Sequence, residues 1–293
     1  MHGTARDAQM ASFEHLLQFG IMHKVTYHSM ALNDFRSVLQ VLNKARPDEI
    51  YNLAGQSSVG LSFDQPVETL ESISVGTLNL LEAIRFTGGL TKLYSAGSSE
   101  CFGDTGDQPA DEDTAFKPRS PYAVAKATAY WEVASYREAY NLFACTGILF
   151  NHESPLRPER FVTKKIVKAA CRIAAGSKER LSLGNIGIAR DWGSAEEYVE
   201  AMWLMLQQPE PEDFCIATGE TNTLQDFVAT VFEEVGLGWR QHVILNPTLM
   251  RPSEIMVSRA NPAKANDRLG WKAKLKMRDV IMLIVAAERN KYI

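Results

Sequence analysis

The sequence predicts an α/β fold: a parallel, doubly wound sheet with helices on both faces, joined to a smaller α/β lobe. Three observations predict it. Up to about residue 150, short apolar runs alternate with amphipathic helical runs, the rhythm of parallel strands and crossover helices. Beyond Asn151 that rhythm is broken by Pro155, Pro158, Gly176, Gly184 and Gly187. The 293 residues, 45% apolar and 23% charged, are enough for one large soluble domain or a domain and a half.

Each element has a local reason. Asn33-Asp34 offers a cap to a helix in which Phe35, Val38, Leu39, Val41 and Leu42 recur at helical spacing. Pro47-Asp48 ends it, and Ile50–Ala54 reads as a buried strand. Leu70, Ile73, Leu78, Leu81 and Ile84 predict a helix over Val67–Phe86, followed by a strand over Leu90–Ala96. Ser120-Pro121 opens a helix that runs to about Tyr140, with proline at the first turn, where its missing N–H does no harm. Phe143–Phe150 is a further strand. Later come helices near Ala195–Leu206 and Leu224–Val235, with a strand near Phe214–Ala217 between them. Two last helices fall near Pro262–Leu269 and Met277–Arg289. The expected division is residues 1–150 and residues 151–293, with some later segments returning to the first sheet.

Composition excludes several functions. Acidic residues number 35 and basic ones 31, a net charge of −4, so no nucleic-acid partner is expected. No apolar run is long enough to cross a bilayer, and Met1–Asp7 is no basic-then-apolar leader. Cys101, Cys145, Cys171 and Cys215 are scattered, which suggests neither a metal site nor a disulfide framework. A reducing, cytoplasmic setting is expected.

Several segments could carry chemistry. Tyr122 and Lys126 stand four apart, on one face of a helix, where an ammonium would lower the phenol's pKa. Taken alone, a surface tyrosine beside a solvated lysine is the simpler reading. Ser98 and Glu100 follow a strand end; in extended chain both side chains would face one way, toward the crevice where parallel sheets bind ligands. A turn with an exposed Glu is the plainer alternative. Asn52–Ser58 ends another strand in small residues that let a flat ring or ribose approach. Arg190 and Arg251 suit bidentate phosphate binding, though a surface ion pair explains either one. His152 has no second ligand at metal spacing.

The order of these segments says more than each alone. Asn-Leu-Ala, Ser-Ser-Glu, Arg119-Ser-Pro-Tyr-Ala-Val-Ala-Lys126, Asn151-His-Glu-Ser-Pro155, Arg190-Asp-Trp-Gly193 and Arg251-Pro-Ser-Glu254 follow one another here. In that order the chain resembles the extended short-chain dehydrogenases/reductases and, within them, the GDP-mannose 4,6-dehydratase family. The resemblance implies a Rossmann-like NADP-binding domain over residues 1–150 and a nucleotide-sugar lobe over most of 151–293. It implies Ser98, Glu100, Tyr122 and Lys126 as catalytic residues. It implies NADP as cofactor, held by Arg6, Leu32, Leu53, Ala54, Gly55, Gln56, Ser57, Lys126, His152 and Arg157. It implies GDP-mannose as substrate, held by Asn151, Val162, Thr163, Lys165, Arg190, Arg251 and Glu254, and a homo-oligomer, dimer or tetramer.

Departures from the family pattern accompany the resemblance. Ser98 replaces the usual Thr, Ala31-Leu32 the usual Asp-Leu, and Ser194 a common His. The family opens with a strand, a glycine-rich turn and a helix, roughly 30 residues that this sequence does not contain. That turn normally carries a pyrophosphate on a helix N-terminus. Its strand is central to the sheet order, so without it two strand edges stand unpaired. The polypeptide as written is accordingly expected to bind NADP poorly and to tend to aggregate; an internally assigned start is one reading of the absence, a real absence the other. Two other readings stay open: another nucleotide-sugar epimerase or reductase, against which Glu100 speaks, and an inactive chain that only binds a sugar nucleotide or a partner.

Overall fold

The computed structural model describes residues 1–291. The first part runs β1 (His2–Ala5), α1 (Glu14–Gln18), β2 (Thr26–Ser29), α2 (Phe35–Ala45), β3 (Glu49–Asn52), α3 (Val59–Asp64), α4 (Pro66–Leu70), a π-helical turn (Glu71–Val75), α5 (Gly76–Phe86), β4 (Lys92–Ala96), a 3-10 turn (Ser99–Phe102), α6 (Pro121–Tyr140) and β5 (Ala144–Leu149). The chain continues through β6 (Asn151–Glu153), α7 (Val162–Ala174), β7 (Leu181–Leu183), β8 (Ala189–Ser194), α8 (Ala195–Leu206), β9 (Phe214–Ile216), β10 (Thr221–Thr223), α9 (Leu224–Glu234), β11 (Val243–Leu245), α10 (Ala263–Leu269) and α11 (Met277–Arg289). Among these, no helix is long and apolar enough to cross a membrane.

The α/β architecture is the predicted one. β3, β4, β5 and β9 form a parallel sheet in that order. β1 and β2 make a separate parallel pair. Among the described residues no strand bridges β1 and β3. A third sheet orders β10-β8-β6, and β11 pairs β7. Strand alternation explains why helices cover both faces of the four-stranded sheet. Leu93 and Ala144 pack with Val38, Leu80, Leu81, Ile84 and Val133 of α2, α5 and α6. Their neighbours Tyr94 and Cys145 face the other way, onto Tyr198, Met202 and Met205 of α8. Each large side chain so buried contributes about 1.5–3 kcal/mol. All six residues of β5 are buried.

β3 corrects one expectation. The sequence predicts a buried strand over Ile50–Ala54, yet only Asn52 of β3 is buried, and Leu53 beyond it is 57% exposed. β3 is the edge of its sheet, so its outer flank has no strand to cover it. A second difference is α7, which the prolines and Gly176 around it conceal. Its Ile166, Val167, Ala170 and Ile173 pack between α9 and α11 to form the core of the later part. The buried Lys164 ammonium ties it to Glu288 of α11 at 2.9 Å and to the Pro155 carbonyl at 3.0 Å.

Candidate active site

Past β4 the backbone stays extended at Ser98 (φ −153°, ψ 138°) and then tightens into the 3-10 turn. The Ser98 hydroxyl caps that turn by accepting the Glu100 N–H at 3.3 Å. Ser98 and Glu100 therefore do not project together from extended chain, as the sequence suggests; a hydroxyl-capped turn sets the carboxyl relative to the hydroxyl. Lys117 N–H closes the turn onto the Cys101 carbonyl at 2.8 Å, and the Cys101 thiol donates to the Ala123 carbonyl at 3.6 Å. Gly103 ends it at φ 70°, ψ −145°, a region L side chains rarely enter. A Cβ there would also run into the Lys117 carbonyl oxygen.

α6 begins directly against this turn. Ser120 caps it, accepting the Ala123 N–H at 3.1 Å, with Pro121 in the first turn. Such a cap stabilises a helix by about 1 kcal/mol. Tyr122 and Lys126 lie one turn apart, the ammonium 5.9 Å from the phenol ring centroid. Lys126 Nζ donates to the Ala96 carbonyl at 2.7 Å, which fixes it to the end of β4.

Electrostatics differ from the sequence expectation at Tyr122. Burial pushes its phenol up; hydrogen bonding from Ser98 pulls it back, Cys101 and Glu100 push it further, and Arg157 lowers it. Lys126 beside it is desolvated, pushed down to about 8, and donates to a backbone carbonyl. Burial likewise raises the Glu100 carboxyl, against the pull of Arg190 and Arg251, while Glu254 adds to the rise. Glu100 thus feels the charges of Arg190 and Arg251 and in turn acts on Tyr122.

That pair is held from the later part of the chain. Arg190, 4% exposed, donates to the Ala189 carbonyl and lies 3.5 Å from Glu254, which also meets Arg251 at 3.4 Å. The buried Asp191 beside it accepts the Thr218 and Gly219 N–H groups at 2.9 and 2.7 Å, pinning β8 to the end of β9. Burial pushes this carboxyl up to about 6 in spite of those donors.

The remaining candidate residues separate into three places. Arg6, Leu32, Ala54, Gly55, Gln56 and Ser57 line one cavity of about 400 Å³ at the carboxyl ends of β1, β2 and β3. Leu53 does not line it. His152 bonds the Phe150 carbonyl at 2.9 Å, and burial lowers its pKa to about 4, so the ring is neutral. Arg157 Nε lies 3.2 Å from the buried Glu153 carboxylate. Asn151 faces Trp192 across the β6–β8 ladder, next to Arg190's strand. Val162, Thr163 and Lys165 occupy the first turn of α7, and the Lys165 ammonium is taken up by the Ser182 carbonyl at 2.8 Å. The sequence reading missed Arg160, which reaches the cavity and donates to Ser57 Oγ at 3.2 Å. Its position in a proline-flanked loop left no periodic signal.

Comparison with known proteins completes the site. A family model described as GDP-mannose 4,6 dehydratase matches residues 1–284. The chain is 47% identical to GDP-mannose 4,6 dehydratase 1 of Arabidopsis thaliana, over 88% of this chain and 72% of that protein. It is 40% identical to the GDP-mannose 4,6 dehydratase of Homo sapiens, over 98% and 84% respectively. Among solved structures it superposes on the UDP-glucose 4-epimerase of Thermus thermophilus in complex with NAD, with a TM-score of 0.85, 26% identity, and coverage of 98% of this chain and 90% of that one. RMD from Pseudomonas aeruginosa complexed with NADPH matches in fold, with a TM-score of 0.82 at 21% identity over 99% and 98%. The chain belongs to the GDP-mannose 4,6-dehydratase family, a family of lyases on the short-chain dehydrogenase/reductase fold.

Proposed function

We propose that this chain converts GDP-mannose to GDP-4-keto-6-deoxymannose, with residues 1–150 serving mainly the cofactor NADP and residues 151–293 mainly the sugar nucleotide. The observation that carries this reading is the Glu100 carboxyl on a turn capped by Ser98 and bonded to the start of α6 that carries Tyr122, with Arg190 and Arg251 pulling on its charge. A carboxyl raised by burial yet facing guanidiniums is poised to take and return a proton within one turnover.

The residues divide the work as follows. Tyr122 accepts the proton of the mannose 4-hydroxyl, steadied by Ser98. The resulting C4 ketone acidifies C5–H, and Glu100 takes that proton. Glu100 then protonates the 6-hydroxyl, which leaves as water. The proton held on Tyr122 returns to C5. When bound, NADP supplies a hydride acceptor at C4 and the same hydride back at C6. Lys126, anchored to Ala96, holds the nicotinamide ribose. Arg190 and Arg251 take the diphosphate of the sugar nucleotide, with Asn151, Val162, Thr163, Lys165 and Glu254 around it.

The donor set of the cavity fits the phosphate and sugar parts of NADP. Arg6 and Arg160 supply guanidiniums, and Gln56, Ser57 and Ser72 supply an amide and hydroxyls. Leu32 and Ala54–Ser57 give an apolar and small-residue wall; Leu53, His152 and Arg157 lie outside this lining and are assigned to NADP on the family resemblance. Among the described residues no glycine-rich strand-to-helix turn borders the cavity. A homo-oligomer, dimer or tetramer, accompanies the reading. The test is a product assay with Glu100→Gln. Turnover is expected to fall about 10²–10⁴-fold, while calorimetry still registers GDP-mannose binding. Full turnover by the variant would remove Glu100 from the mechanism.

A further inference from the structure

The cavity at the ends of β1–β3 contains one cation that local charge does not offset. Arg6 lies 3.5 Å from Glu68, and both line the cavity. Arg160, which lines the same cavity and is bonded to the segment after β3, meets no carboxylate among the described residues. Two contacts fix it. Its Nη2 donates to Ser57 Oγ at 3.2 Å, and its guanidinium carbon lies 5.1 Å from the Phe161 ring centroid. The same ring carries Arg157 at 3.7 Å, so Phe161 orders both side chains. The other N–H donors of Arg160 make no hydrogen bond among the described residues. A fork of unspent donors, held on a hydroxyl and a ring at the edge of a cavity, is the arrangement that grips a phosphate in two places.

We propose that Arg160 binds the diphosphate bridge of the dinucleotide; this rests on the NADP reading above. Both guanidiniums line one cavity. Arg6 follows β1, and Arg160 is bonded to the segment that follows β3. One ligand carrying two phosphate groups would use both cations, with Arg6 serving the 2′-phosphate and Arg160 the bridge.

The experiment titrates the full chain with NADPH and, separately, NADH, which lacks the 2′-phosphate, following nicotinamide fluorescence. Arg160→Gln is expected to weaken both by the same factor, about tenfold or more, and Arg160→Glu to weaken both further. Arg6→Gln is expected to weaken NADPH alone. Thermal unfolding of the unliganded variants, expected to match that of the parent because Arg160 is exposed, separates binding from folding. Unchanged dissociation constants in Arg160→Gln, a loss confined to NADPH, or Arg160→Glu no weaker than Arg160→Gln would each overturn the assignment. A parent chain that binds neither dinucleotide would overturn the cofactor reading along with it.

Discussion

At the carboxyl end of β4, the groups proposed to react are held by backbone. Ser98 caps the turn that carries Glu100, Lys126 is bonded to Ala96, and the Cys101 thiol reaches Ala123. Behind them β5 is buried throughout. The ends of β1 and β2 are built otherwise. Of residues 1–34 only His28 and Met30 are buried, and the two strands pair only with each other. Two strands alone are marginally stable in water. The comparison teaches that one fold can hold the groups proposed to react rigidly while leaving part of the cavity proposed for the cofactor on a loosely anchored ribbon. Preorganisation follows burial and backbone hydrogen bonds, which are plentiful at β4 and sparse at β1.

The largest expected effect breaks the rigid half. Asp213 receives Arg137 of α6 at 2.6 and 3.0 Å and the Thr146 N–H of β5 at 2.6 Å, so one buried carboxylate joins a helix to two strands. Asp213→Ala leaves those donors without their acceptor and is expected to lower stability by about 3 kcal/mol, read in urea unfolding. An unchanged midpoint would mean that the four-stranded sheet owes its rigidity to apolar packing alone. Gly103→Ala should cost less, about 1–3 kcal/mol. Because Gly103 closes the turn bearing Glu100, kcat is expected to fall while KM for the sugar nucleotide holds. A rise in KM without loss of kcat would detach the turn from the chemistry.

The smallest effect sharpens the other half. Amide exchange should be faster in β1–β2 than in β5, and the gap should widen in acid. Burial lowers the pKa of His28 from 6.5, and the facing cations His2 and Lys44 lower it further. The unfolded ribbon therefore binds more protons than the folded one as pH falls through that value, so stability is lost in that direction. The Nδ1 of His2 lies 2.8 Å from the Nε2 of His28, a contact that cannot survive when both rings are charged. Protection that does not change between pH 7 and pH 5 would exclude the pair as an acid-sensitive point.

Much of this was readable from the chain, and the reasons are local. Asp34 before Phe35, Ser120-Pro121 before Tyr122, and the apolar spacings of α8, α9 and α11 state helices through caps and periodicity that need no partner. α7 was hidden because its boundaries are crowded with Pro155, Pro158 and Gly176, although its Ile166, Val167 and Ile173 carry the period. Ser98, Glu100, Tyr122 and Lys126 were legible as spacings, whereas Arg160 was not, since nothing near it in sequence announces Ser57, 103 residues away.

By itself the sequence determined the run of helices and strands, and the order of short motifs that ties the chain to its family. Tertiary structure alone decided the proton affinities and the company of each group. Tyr122 and Lys126 stand one turn apart on any helix, but only packing strips water from both and turns the ammonium to Ala96 instead of the phenol. Desolvation and charge proximity depend on every element that closes around a site, and residues at 98, 122, 190 and 251 meet only when the sheet has assembled.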